Sequence, residues 1–208
     1  MSKILYIKAS PMGELSLSIA AADAFIDAYT EANPDDSVQT LDLFAAALPE
    51  FNFAAASAKY KIMHGKEHSQ VDKGVWEGIV AVIDEFKAAD KYVFAVPMWN
   101  FSIPWRLKQY IDIIVQPGLT FAATEDGGYD GLVKDKPVFV AYARGGEYPP
   151  GDGAFDHQKP YIELILGFMG FEDIRAVVIE PTLAADPDTA NERRAAAVEK
   201  ARKMAAEF

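Results

Sequence analysis

Three serines, Ser10, Ser16 and Ser18, stand between an apolar segment, Ile4-Leu5-Tyr6-Ile7, and a stretch in which Ile19, Ala22, Phe25, Ile26 and Tyr29 recur at helical spacing. One serine is enough to cap a helix, and Ser16 is placed to do so. Several hydroxyls where a helix opens also suit a phosphate, because the first helical amides have no acceptor within the helix. A second group, Pro97-Met98-Trp99-Asn100-Phe101, follows the apolar run Tyr92-Val93-Phe94-Ala95-Val96. Its large flat and soft side chains, with one amide among them, suit a flat, partly apolar ring; the alternative is a core-packing corner. A third group, Ala143-Arg144-Gly145-Gly146-Glu147-Tyr148, follows Val138-Phe139-Val140-Ala141-Tyr142. Adjacent glycines let backbone approach a ligand closely, or they form an ordinary turn. Arg144 either adds positive charge there or makes a surface ion pair.

Other chemistries lack their residues. The phosphate-binding pattern GxxxxGK[ST] is absent, as is GxGxxG. There is no cysteine, which removes disulfides, thiolate metal sites and cysteine nucleophiles. His64 and His68 stand one helical turn apart, but a complete metal site needs three or four ligands, and Lys61, Lys66 and Glu67 beside them read as a solvated face. A serine nucleophile at Ser10 or Ser16 needs a base within reach, and neither those histidines nor His157 falls at an evident strand end. The net charge of −11 disfavours nucleic acid and anionic membrane surfaces. Half the residues are apolar, yet no run approaches the roughly 18 needed to span a bilayer. The N-terminus enters a strand at once, so no signal peptide is expected and a cytoplasmic protein is the default.

The elements that must position these groups follow from periodicity. Residues 4–7, 92–96 and 138–142 are uniformly apolar and read as parallel strands buried on both faces, with Pro97 ending the ladder of its strand, and residues 176–179 read as the last strand. Residues 38–44 are more polar and read as an edge strand. Val75, Trp76, Ile79, Val80, Ile83 and Phe86 mark an amphipathic helix, as do Leu107, Tyr110, Ile111, Ile114 and Val115 after Pro104. A further helix runs from Tyr161 to Gly170, and a tail helix starts at about Asn191. Residues 45–70 show little period, part helix and part excursion, and the Gly-rich residues 125–131 read as a mobile surface loop. The alternation predicts one domain over 1–208, a doubly wound α/β fold. Five mostly parallel strands in the order 2-1-3-4-5 would carry helices on both faces, with ligands outside the carboxyl ends of the first and third. The serine loop and the Met98 loop would then meet at one crevice.

On the segments Ser10…Ser16-Leu17-Ser18, Pro97-Met98-Trp99-Asn100-Phe101, Leu107-Lys108-Gln109-Tyr110-Ile111-Asp112, Gly118-Leu119-Thr120-Phe121, Arg144-Gly145-Gly146 and Leu166-Gly167-Phe168-Met169-Gly170, the chain resembles the bacterial azoreductase family, FMN-dependent NADH:azo-compound and quinone reductases of flavodoxin-like fold. The resemblance covers nearly the whole chain. It implies that Ser10, Ser16, Leu17 and Ser18 hold the FMN phosphate and that Pro97, Met98, Trp99, Asn100 and Phe101 line the isoalloxazine. It further implies that Ala143, Arg144, Gly145 and Gly146 meet the pyrimidine edge of the ring. Phe121 and Tyr148 would shape a pocket in which NADH or NADPH and a quinone or azo acceptor alternate in a ping-pong, two-electron mechanism. It also implies a homodimer with that pocket near the subunit boundary. Three positions depart from the family pattern. Leu17 replaces a frequent glutamine, so only backbone donation survives there. Ala143 replaces a serine and lacks its hydroxyl. Trp105 replaces a smaller residue and bears on pocket size. No protein group need act as a general base, since the cofactor carries the electrons. An electron-carrying flavodoxin is the alternative on the same fold, and a phosphodiesterase-type hydrolase a weaker one. A phosphoacceptor receiver domain fails, because Lys8-Ala9-Ser10 and Pro97 stand where it needs acidic residues.

Overall fold

The structure, a computed structural model, describes residues 1–149, 155–183 and 186–208. The strands β1 (Lys3–Lys8), β2 (Ser37–Asp42), β3 (Lys91–Pro97), β6 (Val138–Ala143) and β7 (Ile174–Ile179) form one parallel sheet in the order β2-β1-β3-β6-β7. Counted within the sheet this is the expected 2-1-3-4-5. The uniformly apolar strands are buried because side chains alternate between two cores. Leu5, Ile7, Tyr92, Phe94, Val96, Val138, Val140 and Tyr142 enter one core. Ile4, Tyr6, Val93, Ala95, Phe139, Ala141 and Ala143 enter the other.

The first core is covered by α2 (Phe53–Met63), α3 (Gln70–Lys87), α4 (Trp105–Ile114) and α5 (Lys159–Met169). The second is covered by α1 (Leu17–Ala32) and α6 (Pro187–Ala205), where Phe25 stacks on Phe139 at 4.0 Å. Among the described residues, no helix is long and apolar enough to cross a membrane.

Residues 45–70 are part helix, as expected: they hold α2, whose start is set by Asn52; its side chain accepts from the amides of Ala54 and Ala55. Two expectations need revision. The tail helix starts at Pro187 rather than near Asn191, because Asp186 caps it and proline is tolerated in the first turn. Residues 125–131 do not form a free loop. The strands β4 (Phe121–Ala123) and β5 (Tyr129–Gly131) pair as an antiparallel hairpin. The hairpin lies so close to the end of α5 that a Cβ on Gly131 would fall 2.2 Å from the Gly170 nitrogen. Its exit is fixed as well, since the Val133 amide donates to the Met169 carbonyl at 2.8 Å.

Candidate active site

The first, third and sixth strands are neighbours, so the segments leaving their carboxyl ends share one side of the sheet. The Ala9 amide donates to the Ala95 carbonyl at 3.0 Å, and the Met98 amide to the Ala143 carbonyl at 2.8 Å. These bonds join the serine loop, the ring-side loop and the glycine turn at their roots. Pro97 is the last residue of β3, opposite Ala143.

The serine loop passes through a short 3-10 turn, Gly13–Leu15, before α1 begins at Leu17. Ser16 is the N-cap and accepts from the Ile19 amide at 3.4 Å. Its hydroxyl also lies 3.1 Å from that of Ser18. Ser10 accepts from the Met12 amide at 3.3 Å, which leaves its O–H free to donate. Ser10, Ser16 and Ser18 are buried, whereas Leu17 packs its side chain against the α1–α6 core. Capping and phosphate binding are therefore compatible. The cap uses an oxygen lone pair; the Ser10 proton, one proton of the Ser16–Ser18 pair and the amides of Leu17 and Ser18 remain as donors for an anion, and rotation of the paired hydroxyls frees the second proton.

The ring-side loop is a tight two-residue turn. Trp99 and Ser102 exchange amide–carbonyl bonds of 3.0 and 2.9 Å, with Asn100 and Phe101 between them at φ of 48° and 67°. This is the hairpin geometry that normally takes glycine or asparagine. The turn sends its two aromatics to different neighbours. Phe101 meets Tyr148 edge-on at 6.4 Å and Phe155 at 5.0 Å. Trp99 faces Phe44 at 5.8 Å, and Phe44 meets Trp105 edge-on at 6.2 Å. Trp99, Asn100 and Trp105 help to line a groove of about 1020 Å³, with Phe51, Ile103 and Tyr161 among its other walls. Arg106 fixes one side of it by donating to the carbonyls of Leu43 and Ala46 while its guanidinium lies 5.3 Å from the Trp105 ring centre.

The glycine turn departs from the sequence reading of Arg144. Its side chain is only 2% exposed, so its ion pairs are not on the surface. It donates to Gln158 at 2.9 Å, to Asp156 at 2.8 Å and to Glu180 at 3.3 Å. Gln158 in turn donates to the Val96 carbonyl at 2.9 Å, and the His157 amide donates to the Phe101 carbonyl at 2.8 Å. The carbonyls of Arg144 and Gly145 are also occupied, by the amides of Thr182 and Leu183 at 2.9 and 3.0 Å. Among the described residues, the amides of Gly145 and Gly146 have no acceptor. Ala143, at the strand end, is buried.

Of the residues expected to shape a substrate pocket, Tyr148 lies by Phe101 and Trp105 lies on the groove. Phe121 is on the hairpin, where its ring partners among the described residues are Tyr129 at 5.8 Å and Phe168 at 4.5 Å. Phe44, Arg106, Gln158 and Thr182 escaped the sequence reading, since their roles come from contacts distant along the chain. His64 and His68 bond their ring nitrogens to the carbonyls of Tyr60 and Lys66, and among the described residues no cluster of metal-binding side chains occurs.

These groups fit FMN by the chemistry of their donors. Hydroxyls and helical amides at one end match a phosphate, and amides with no acceptor at the other match an electron-rich ring edge. The chain belongs to the family of flavodoxin-like fold, which matches residues 2–205. It is 58% identical over the full length of both chains to the FMN-dependent NADH:quinone oxidoreductase of Nitratidesulfovibrio vulgaris strain Hildenborough. The azoreductase of Bacillus anthracis strain Sterne superposes with a TM-score of 0.91 at 33% identity, over 100% of both chains. The FMN-dependent NADH-azoreductase of Bacillus anthracis strain Ames Ancestor, solved in complex with FMN, gives 0.89 at 29% identity, over 100% of this chain and 99% of the other.

Proposed function

We propose that this protein is an FMN-dependent NAD(P)H oxidoreductase that reduces quinones and azo compounds. One observation carries the reading. A hydroxyl-lined helix N-terminus, an aromatic turn and a turn whose amides have no acceptor among the described residues converge at the carboxyl ends of β1, β3 and β6. The names of the full-length relatives agree with it.

FMN, when bound, supplies the electron transfer. The protein's own part is to bind, orient and shield. Ser10, Ser16 and Ser18, with the Leu17 amide, hold the phosphate. Pro97, Met98, Trp99, Asn100 and Phe101 cover one face of the ring, and the amides of Gly145 and Gly146 meet its pyrimidine edge. Tyr148 and Trp105 border the space left open, in which NADH or NADPH and the acceptor take turns, as in a ping-pong scheme. Phe121 joins this pocket through its hairpin or through a second copy of the chain.

A homodimer is part of the same proposal. Trp105 is 60% exposed on an apolar groove, and a second copy would cover it. The groove also favours an enzyme over an electron carrier, which needs no such space. The unit at work would be one domain over residues 1–208, in the cytoplasm. The deciding experiment is the visible spectrum of protein refolded with FMN and passed through gel filtration. Flavin absorption should remain with the protein, and heat should release FMN. A colourless protein that leaves the fluorescence of micromolar FMN unquenched would refute the reading.

A further inference from the structure

Among the described residues the amides of Gly145 and Gly146 have no acceptor, and the turn itself accounts for this. A peptide group in a turn can face either way, and its orientation is set by what holds its carbonyl. The Arg144 carbonyl accepts twice from Thr182, from the amide at 2.9 Å and from the hydroxyl at 2.8 Å. The Gly145 carbonyl accepts from Thr182 and Leu183 at 3.2 and 3.0 Å. The same turn is gripped from the other side by the Arg144 side chain, whose three partners come from two segments: Asp156 and Gln158 ahead of α5, and Glu180 after β7. Glu180 also accepts from the Tyr148 amide at 3.3 Å, and the guanidinium lies 5.7 Å from the Tyr148 ring centre.

We propose that Arg144 and Thr182 are positioning residues. They clamp the turn with its carbonyls drawn inward, so that the amides of Gly145 and Gly146 are presented as a preset donor pair. The proposal rests on the FMN reading above and deepens it. The guanidinium does not lend its charge to the ring, because Asp156 and Glu180 neutralise it. What reaches the ring edge is the pair of amide dipoles, fixed before any charge develops there. A lysine cannot reproduce this grip, since a single ammonium cannot span three partners as a planar fork does.

The test uses the full chain with Arg144→Lys and, separately, Thr182→Val, which removes the hydroxyl donor and keeps the backbone donors. Dissociation constants for FMN and for riboflavin come from fluorescence quenching, and the two-electron potential of bound FMN from dye equilibration. Arg144→Lys should weaken FMN and riboflavin by the same factor, about tenfold, which corresponds to one lost hydrogen bond. A tenfold loss specific to the reduced ring corresponds to a potential lower by about 30 mV. Thr182→Val should act in the same direction by about threefold. A merely structural role would lower the melting temperature and leave the potential and both flavin dissociation constants unchanged; that result overturns the proposal, as does a loss confined to FMN. Hydrogen exchange of the Tyr148 and Leu183 amides in the protein without flavin reports the clamp independently, and should quicken in Arg144→Lys. If the wild type bound neither flavin while that exchange still quickened, the FMN reading would fail and the clamp would stand. Should Arg144→Lys not fold, Thr182→Val decides alone.

Discussion

Trp99 and Ser102 close a two-residue turn with a pair of backbone bonds, and the residue that takes its second left-handed position is Phe101, at φ 67°. A non-glycine residue in that region costs roughly 1–3 kcal/mol and persists only where its surroundings hold it. Here the His157 amide holds the Phe101 carbonyl at 2.8 Å, and the ring is aimed at Tyr148. The first prediction compares two truncations. Phe101→Ala keeps the strain and loses the ring, whereas Phe101→Gly loses both. Urea unfolding should find Phe101→Gly more stable than Phe101→Ala by about 1 kcal/mol, while both weaken flavin alike. Equal stabilities would mean that the turn is unstrained.

The second prediction concerns the hydroxyl pair 3.1 Å apart at the start of α1. Ser16→Ala with Ser18→Ala removes two donors to a charged group, each worth about 1.5–3 kcal/mol. FMN should weaken by at least about a hundredfold more than riboflavin. Ser16 is also the cap of α1, so the double variant should melt earlier by an amount corresponding to about 1 kcal/mol. Equal weakening of the two flavins would place the phosphate elsewhere.

How much of this was legible before the structure depended on range. The buried strands announced themselves, because Val93-Phe94-Ala95-Val96 and its counterparts have no polar face, and β1, β3 and β6 prove buried on both sides. The three loops followed from the strands. The hairpin did not, since Tyr129–Gly131 offers no alternation of apolar and polar residues; only its close fit to Gly170 gives it a place. Asn52 and Asp186 were usable cap signals for α2 and α6, and were overlooked. The environment of Arg144 had no local signal at all. Its partners Asp156, Gln158 and Glu180 lie 12, 14 and 36 residues away, and nothing in Arg144-Gly145-Gly146 marks the side chain as buried.

The third prediction is the dimer. Light scattering over a range of concentrations should give twice the chain mass of 22.8 kDa. A monomer throughout would require the pocket to be complete within one chain. Phe121, half-buried on the hairpin against Phe168 of α5, could then reach it only through its own hairpin.

The last prediction is the order of events at the pocket. A ring with Met98, Trp99, Asn100 and Phe101 on one side has one open face. A nicotinamide and a flat acceptor cannot both lie on that face at a reactive distance of roughly 3–3.5 Å. The oxidised nicotinamide must therefore leave before the acceptor enters. Initial rates against NADH at several fixed acceptor concentrations should give parallel double-reciprocal lines. Anaerobic mixing with NADH alone should bleach the flavin absorption, and quinone added later should restore it. Intersecting lines, or recovery only while nicotinamide is present, would mean a ternary complex and two separate pockets. Trp105 gives a second check on the same space. It stands at the first position of α4, edge-on to Phe44 and 60% exposed, so truncating it widens the groove without touching the serine loop or the glycine turn. Trp105→Ala should shift kcat/KM toward bulkier azo acceptors over small quinones by about tenfold, as the loss of a large apolar wall allows. Its rate of bleaching by NADH should change little. A variant that lost bleaching and acceptor turnover together would place Trp105 against the ring itself rather than at the acceptor's outer edge.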